Sequence, residues 1–500
     1  MSRPITVLGC LTLLGQMHCN CESAEAGKAS TTRILAHQRQ GDTHAKPSNK
    51  VRMDPEEARI KREYPLYGVV QGVHLAIRSA PNPEADALGW VRAGSQLRLK
   101  ARSVSGQKCR SGWHRVHPEG WVCVGQGVSV DDKPKNAALL TAGVKRDTPL
   151  PYNYFFVKEV LVPEYHRLPS RNEQRAARAV VNHYRSLLQK EDEGQSARDF
   201  LTGLSDPATT TEPKSPAVVR RYLERQFYVA GTGVETRAFR NFVRTVWGSY
   251  VKESALIQRQ GSNFHGVTLD DNHQLPLAFA RRAGTLMKLQ NGERPRFHAD
   301  SDAPAIARYA IIPGWQERKR IGLHNMHVFA SEGEGERRYL KEWFAGIARK
   351  QPKPLGIGAK EPWIHVDLSE QVLVMYQGSK PIFATLVSTG LPEHDTPTGL
   401  FTIRKKFITD TMAALGPDAG DDRYRIDDVP WTQYISGSIA LHGAFWHDRF
   451  GLKRSHGCIN LAPQDAQTIF RHTLPRVPHD WHGITGDRKG ITSSHVLITS

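Results

Sequence analysis

The chain has 500 residues, a formal net charge of +18 at pH 7, and 39% hydrophobic and 8% aromatic residues. That apolar fraction excludes a wholly disordered or collagen-like chain and leaves room for roughly two to four folded domains joined by polar connections. A balance this basic points to an anionic partner: nucleic acid, an envelope polymer or a membrane surface. The basic residues are dispersed and no nucleic-acid-binding module is recognisable, so no nucleic-acid partner is expected.

Residues 1–26 read as a secretory signal peptide, with Arg3 in a short basic start, an apolar stretch from Ile5 to Gly15, and a small-x-small site at Ala24-Glu25-Ala26. Cleavage there would remove Cys10, Cys19 and Cys21 and leave Cys109, Cys123 and Cys458. One pair able to bridge and one lone thiol suit an exported thiol enzyme, located in the periplasm or cell envelope. Val7-Leu8-Gly9-Cys10 is a rival lipoprotein processing site, and membrane association is expected only if Cys10 is lipidated. Residues 27–63, rich in small and charged residues, read as a disordered tether.

From 64 to 130 the texture turns to short alternating runs broken by Gly, Pro and Asn. Leu75–Pro81, Leu88–Gly94, Leu97–Leu99, Gly112–Val116 and Gly120–Val122 give five strand candidates. Their order (Leu75-Ala-Ile77-Arg78-Ser79-Ala-Pro81, then Gly120-Trp121-Val122) resembles a bacterial SH3-like domain. The resemblance implies a small β-barrel of a kind that accompanies cell-wall enzymes and binds wall peptides or acts as a spacer. Cys109 and Cys123 flank the Trp113 strand, which suits a disulfide across a hairpin; two unpaired buried thiols are the alternative.

Residues 135–355 read as an α+β region of unknown role. Ser170-Arg-Asn-Glu173 is a capping-box pattern, and Ala177, Val180, Tyr184, Leu187 and Leu188 follow at helical spacing to about Lys190. Residues 204–216 read as a linker. Phe227–Val229, Phe242–Val246 and Tyr250–Val251 read as strands, with Arg244–Val251 faintly similar to the end of a second SH3-like unit. His265, His324 and His327 show no metal-ligand spacing. From 361 to 500, three alternating runs (364–368, 371–376 and 382–386) mark a β-meander, and Asp395-Thr-Pro397-Thr-Gly399-Leu-Phe401 follows.

Chemistry concentrates in one stretch, Ile439-Ala-Leu-His442-Gly443-Ala-Phe-Trp446 to Ser455-His456-Gly457-Cys458-Ile459-Asn460. A thiol attacks an acyl carbon as thiolate, so a catalytic cysteine needs an imidazole to take its proton. A glycine beside the nucleophile permits a tight turn whose N–H groups can face an oxyanion. The composite resembles the signature of YkuD-type L,D-transpeptidases: His, a gap, Ser/Thr-His-Gly-Cys, a hydrophobic residue, and Asn or Arg. The Thr-Pro-x-Gly-x-Phe segment stands where that family carries it.

The resemblance implies a multi-domain, mainly β protein with a β-rich catalytic domain at 361–500. It implies a peptidoglycan L,D-transpeptidase in which Cys458 is the nucleophile and His442 the general base, oriented by the Gly443 carbonyl. His456 would be a supporting residue and Gly457 an oxyanion N–H donor. On an extended backbone His456 shares a side with Cys458, so geometry alone leaves it in contention as the base. Trp446 is expected in the substrate cleft; Tyr434, Trp431 and Phe445 are further cleft candidates that read equally as core. Arg454, Ser455 and Asn460 are substrate-side candidates, and Asn460 is also suited to locking the loop. Asp448 reads as a solvated loop residue rather than a triad acid.

His442, His456 and Cys458 match no zinc spacing, so no metal or cofactor is expected. The implied partner is the peptidoglycan stem peptide, with another stem, an envelope protein lysine or water as acyl acceptor. A non-catalytic wall-binding scaffold is the rival reading.

Overall fold

Strand accounts for 46% and helix for 11% of the structure, so the chain is mainly β. The computed structural model describes residues 54–72, 74–135, 144–187, 214–292, 295–331, 336–415 and 423–500. The expected signal peptide, Cys10, tether residues 27–53 and linker residues 204–213 lie outside the described residues. Residues 54–63 correct the tether reading. Pro55–Glu63 is a helix, α1, with the Asp54 side chain accepting from the Glu56 N–H, Pro55 in the first turn, acids at its start and Lys61 and Arg62 in its last turn. Composition pointed to disorder there; local capping chemistry outweighs it.

The N-terminal β-unit has seven strands, from Leu66–Val70 to Val128–Asp131, two more than the runs predict. The first pairs antiparallel with both Gln96–Gly106 and Val128–Asp131, closing the unit upon itself. Cys109 opens one strand and Cys123 ends the next, and their sulfurs are bonded at 2.06 Å. Ile77, Val91, Leu97, Leu99 and Val116 are fully buried in its core, which Trp481 and Ile484 complete from more than 300 residues further along the chain. Trp90 pairs with Gly483, and Trp481 lies against Gly89, where a Cβ would stand 2.3 Å from the indole. Arg92 forms a buried ion pair with Asp428. The unit is therefore built onto the C-terminal domain.

The middle region is richer in strand than α+β patterning suggests. Its one α-helix among the described residues is α2, Arg171–Leu187, which buries Ala177, Val180, Val181 and Tyr184. The capping box forms as predicted: Glu173 N–H donates to Ser170 Oγ (3.2 Å), and Ser170 N–H to the Glu173 carboxylate (2.8 Å). One element recurs. Tyr250–Lys252, a 3₁₀ turn Glu253–Ala255 and Leu256–Arg259 match Arg337–Lys341, Glu342–Phe344 and Ala345–Ala348, with Tyr-x-Lys-Glu at both turns. The first copy belongs to a sheet that reaches the C-terminal domain through Tyr228↔Ile426. The second is tied to it by buried Glu370, which pairs with Arg281, Arg318 and Arg349 and accepts the Ile347 N–H.

The predicted meander appears as Pro362–Asp367, Val372–Gln377 and Lys380–Leu386. His495–Thr499 inserts parallel to the first of these and pairs on its other side with Gly399–Thr402, making an interior strand. A helix α3, Pro463–His472, packs Ala466, Ile469 and Phe470 into the same core as Leu441, Ile459 and Leu461. Buried Lys406 caps its C-terminal end, donating to Phe470 O (2.7 Å) and Thr473 O (2.8 Å). Among the described residues, no helix is long and apolar enough to cross a membrane.

Candidate active site

Two neighbouring parallel strands, Ile439–Gly443 and Ile459–Leu461, build the site, in register Leu441↔Ile459 and His442↔Asn460. Their apolar residues face α3, which leaves His442 and Asn460 on the opposite face. The sulfur of Cys458 lies over the start of the His442 strand. It donates to the Ser438 carbonyl at 3.6 Å and accepts the Ala440 N–H. Cys458 is the free cysteine among the described residues.

The turn before the cysteine is braced from several sides. Gly457 has φ of +104°, and a Cβ there would come within 2.6 Å of Ile439 Cδ1, so only glycine fits. Thr396, from the Thr-Pro segment, accepts the Gly390 N–H (2.9 Å) and donates to the Gly457 carbonyl (2.8 Å). Ser455 Oγ donates to the Cys458 carbonyl at 2.6 Å. Ser455 is thus buried in the turn, with its hydroxyl directed at the backbone and not at a ligand.

His442 is 2% exposed, and its Nδ1–H points at the Gly443 carbonyl over a long 3.4 Å, leaving Nε2 as the acceptor. Burial pushes its pKa down to about 4, against the opposing pull of that carbonyl. Burial pushes the Cys458 thiol up, and the Ala440 N–H pulls it back. Both directions favour the neutral thiol and the neutral imidazole at pH 7.

Trp446 stands 5.5 Å from the His442 ring and joins Phe445 (5.1 Å) and Tyr228 of the middle region (6.3 Å). His456 is exposed, with its ring against His394 (4.4 Å) and Tyr424 (6.0 Å). Tyr434 donates to Asp410 at 2.9 Å. Arg454 is exposed, its main-chain N–H held by the Thr389 carbonyl. Trp431 is buried, donating to the Pro149 carbonyl. Asp448 stands apart from His442 and accepts from Ser262, Tyr309 and Arg308, so it ties the loop to the middle region. No group of three or more His, Cys, Asp or Glu converges as a metal site among the described residues.

One partner escaped the sequence reading. His447 Nδ1 accepts the Arg449 N–H, so the neutral ring carries its proton on Nε2, 2.9 Å from the Asn460 amide. The Asn460 Nδ2 is set at that nitrogen, and turning the amide end for end puts its oxygen, unpartnered as placed, on the ring proton. Asn460 is buried and locks the turn to this ring. A His-Asp pair after an aromatic carries no spacing signal that would have revealed the contact.

Burial holds His447 and His482 near pKa 3 and His442 near 4, all below the unfolded value of about 6.5. Between those limits the unfolded chain binds more protons than the folded one, so stability rises with pH there. The stabilisation is complete above pH 6.5 and is lost as pH falls towards 4. Melting temperature is expected to drop steadily across that window; a flat profile would contradict neutral burial of these rings.

Residues 361–480 match the YkuD family model, described as the L,D-transpeptidase catalytic domain. Among solved structures the chain is similar to an Enterococcus faecium L,D-transpeptidase, at 22% identity over 28% of this chain and 50% of that one, with a TM-score of 0.22. It is similar to the L,D-transpeptidase from Mycobacterium smegmatis at 15% identity over 47% and 91%, TM-score 0.24. A Stackebrandtia nassauensis L,D-transpeptidase gives 22% identity over 29% and 57%, TM-score 0.20. The chain spans about half the length of the Enterococcus structure. No curated protein matches the chain.

Proposed function

We propose that this chain, whose residues 361–480 are a YkuD L,D-transpeptidase catalytic domain, is an exported enzyme of peptidoglycan cross-linking. The observation that carries the reading is the Cys458 sulfur seated on the strand of a buried, neutral His442, beside a turn that only glycine can make. As the thiol approaches the L-centre carbonyl of diaminopimelate in a tetrapeptide stem, His442 Nε2 takes its proton. The C–S bond forms and the carbonyl electron pair moves onto oxygen, towards the N–H groups of Gly457 and Cys458. Collapse breaks the C–N bond, and the imidazolium protonates the departing D-alanine amine.

The thioester then meets a second amine, from another stem or an envelope protein lysine. His442 removes its proton, a C–N bond forms, and the sulfur leaves as thiol after taking the proton back. Water in place of the amine makes the same site a carboxypeptidase. A charge of +18 suits an anionic wall polymer. A bridged Cys109–Cys123 pair beside one free thiol suits an oxidising compartment. We read residues 64–130 as an SH3-like unit.

Mass spectrometry of disaccharide-tetrapeptide fragments incubated with the protein tests the reading: loss of D-alanine and a 3→3 dimer are expected. The acid limb of the acylation rate should lie near pH 4, because a base with a depressed pKa is lost only when the pH falls that far. An inflection near 6.5, where a solvated histidine titrates, would move the base away from His442.

A further inference from the structure

Three strands of the middle region, Asn153–Val157, Tyr228–Arg237 and Leu256–Arg259, place a row of side chains on one face. Tyr228 and Ile257 pair with Phe156 from either side, and Arg259 pairs with Tyr154. Residues directly paired or two apart share a face, so these five form one surface. Its inner end is packed against the catalytic loop. Tyr154 stacks on Phe445 at 4.0 Å, and Tyr228 lies 5.6 Å from Phe445 and 6.3 Å from Trp446, itself 5.5 Å from His442.

Its outer end is open. Ile257 is 42% exposed, and Phe156, Tyr228 and Arg259 are half-buried. The Arg259 guanidinium lies over the Phe156 ring at 5.1 Å, and its Nε has no hydrogen-bond partner among the described residues. Burial raises the pKa of the Tyr228 phenol, and the charges of Arg259 and Arg454 pull it back. The surface is an aromatic ledge with a cation from each domain, continuous with the wall beside the base.

We propose that this ledge of Phe156, Tyr228, Ile257 and Arg259 binds the amine-bearing acceptor, an acidic peptide stem. The inference rests on the acyl-transfer reading above. The acyl group is held on Cys458, and every amine that gains or gives a proton does so at His442. The amine component therefore approaches from the His442 and Trp446 side, and whatever carries it extends onto the ledge. Carboxylates of a stem suit the two guanidiniums, and its aliphatic and amide portions suit the aromatic faces. In this arrangement the middle region selects the acceptor while the C-terminal domain carries the chemistry.

The test compares Arg259→Gln, Tyr228→Ala and Arg259→Lys with wild type, using a tetrapeptide-stem donor and an N-acetylated tripeptide stem ending in diaminopimelate as acceptor. The ratio of transfer to hydrolysis is expected to fall about tenfold in the first two, with Arg259→Lys retaining most of it. In a Cys458→Ala background, calorimetric binding of the tripeptide should weaken about tenfold on adding Arg259→Gln. An unchanged ratio with unchanged binding overturns the inference. So does an equal loss of transfer and hydrolysis, which would make these residues packing residues only. If wild type forms no thioester, the acyl-transfer reading fails by itself, and the binding arm still decides whether the ledge takes the stem.

Discussion

Cys458→Ala is expected to reduce acyl transfer by about a thousandfold or more while leaving the fold intact. Among the described residues the sulfur's hydrogen-bond partners are the Ser438 carbonyl and the Ala440 N–H, and the bracing of the turn runs through Thr396, Ser455 and Asn460. Nothing structural leaves with the thiol. The same variant should lose reaction with a carbapenem, whose strained lactam offers an acyl carbon to an activated sulfur. Wild type should gain a single adduct by intact mass, mapped to Cys458. Cys109 and Cys123, bonded to each other, offer no thiolate and should stay unmodified without reductant. Iodoacetamide should eliminate activity and EDTA leave it intact. Substantial residual transfer in Cys458→Ala, or adducts spread over several cysteines, would remove the thiol mechanism.

Trp481→Ala should destabilise the protein by roughly 3–5 kcal/mol, the range for deleting a large buried aromatic. Its indole is fully buried among Ile77, Leu88, Val91 and Leu99 and donates to the His117 carbonyl at 3.3 Å. The hole would open in the N-terminal unit although the residue belongs to the C-terminal domain. Urea unfolding should therefore show a lower midpoint, and limited proteolysis should release the N-terminal unit before the C-terminal domain is lost. A change below about 1 kcal/mol would mean that this core closes without the indole.

What could be read from the sequence was local. The span from His442 to Asn460 is contiguous in sequence, so the candidate base, nucleophile and turn were legible together, and the Thr-Pro segment is a short run of its own. The meander strands were equally plain, because alternation over six or seven residues is a backbone property. The docking of the N-terminal unit was not legible. Trp481 sits in His-Asp-Trp-His, where a lone aromatic among polar neighbours has no period to reveal its destination. Tyr228 and Phe156 looked like ordinary strand residues, and only the pairing of separated strands brings them to Trp446. At α1 the signal was present, since Asp54-Pro55-Glu56-Glu57 is a helix start, but a composition typical of disorder surrounded it. Asp448 is exposed as its loop position suggested, yet three residues of the middle region hold it.

The interior position of His495–Thr499 has a consequence for the order in which the protein matures. The strand Pro362–Asp367 lacks its parallel neighbour until residue 499 has been made, so the sheet that shares its core with Leu441 and Ile459 closes after synthesis of the domain rather than during it. Through that interval Cys458 would be an ordinary accessible thiol on an unfolded chain, and among the five cysteines that precede it are Cys109 and Cys123. They are neighbours in a short hairpin, only fourteen residues apart, and can find each other within a local element that is complete long before Cys458 is made. Vectorial emergence of the chain thus lets Cys109 and Cys123 close their bridge before the Cys458 thiol can compete for either.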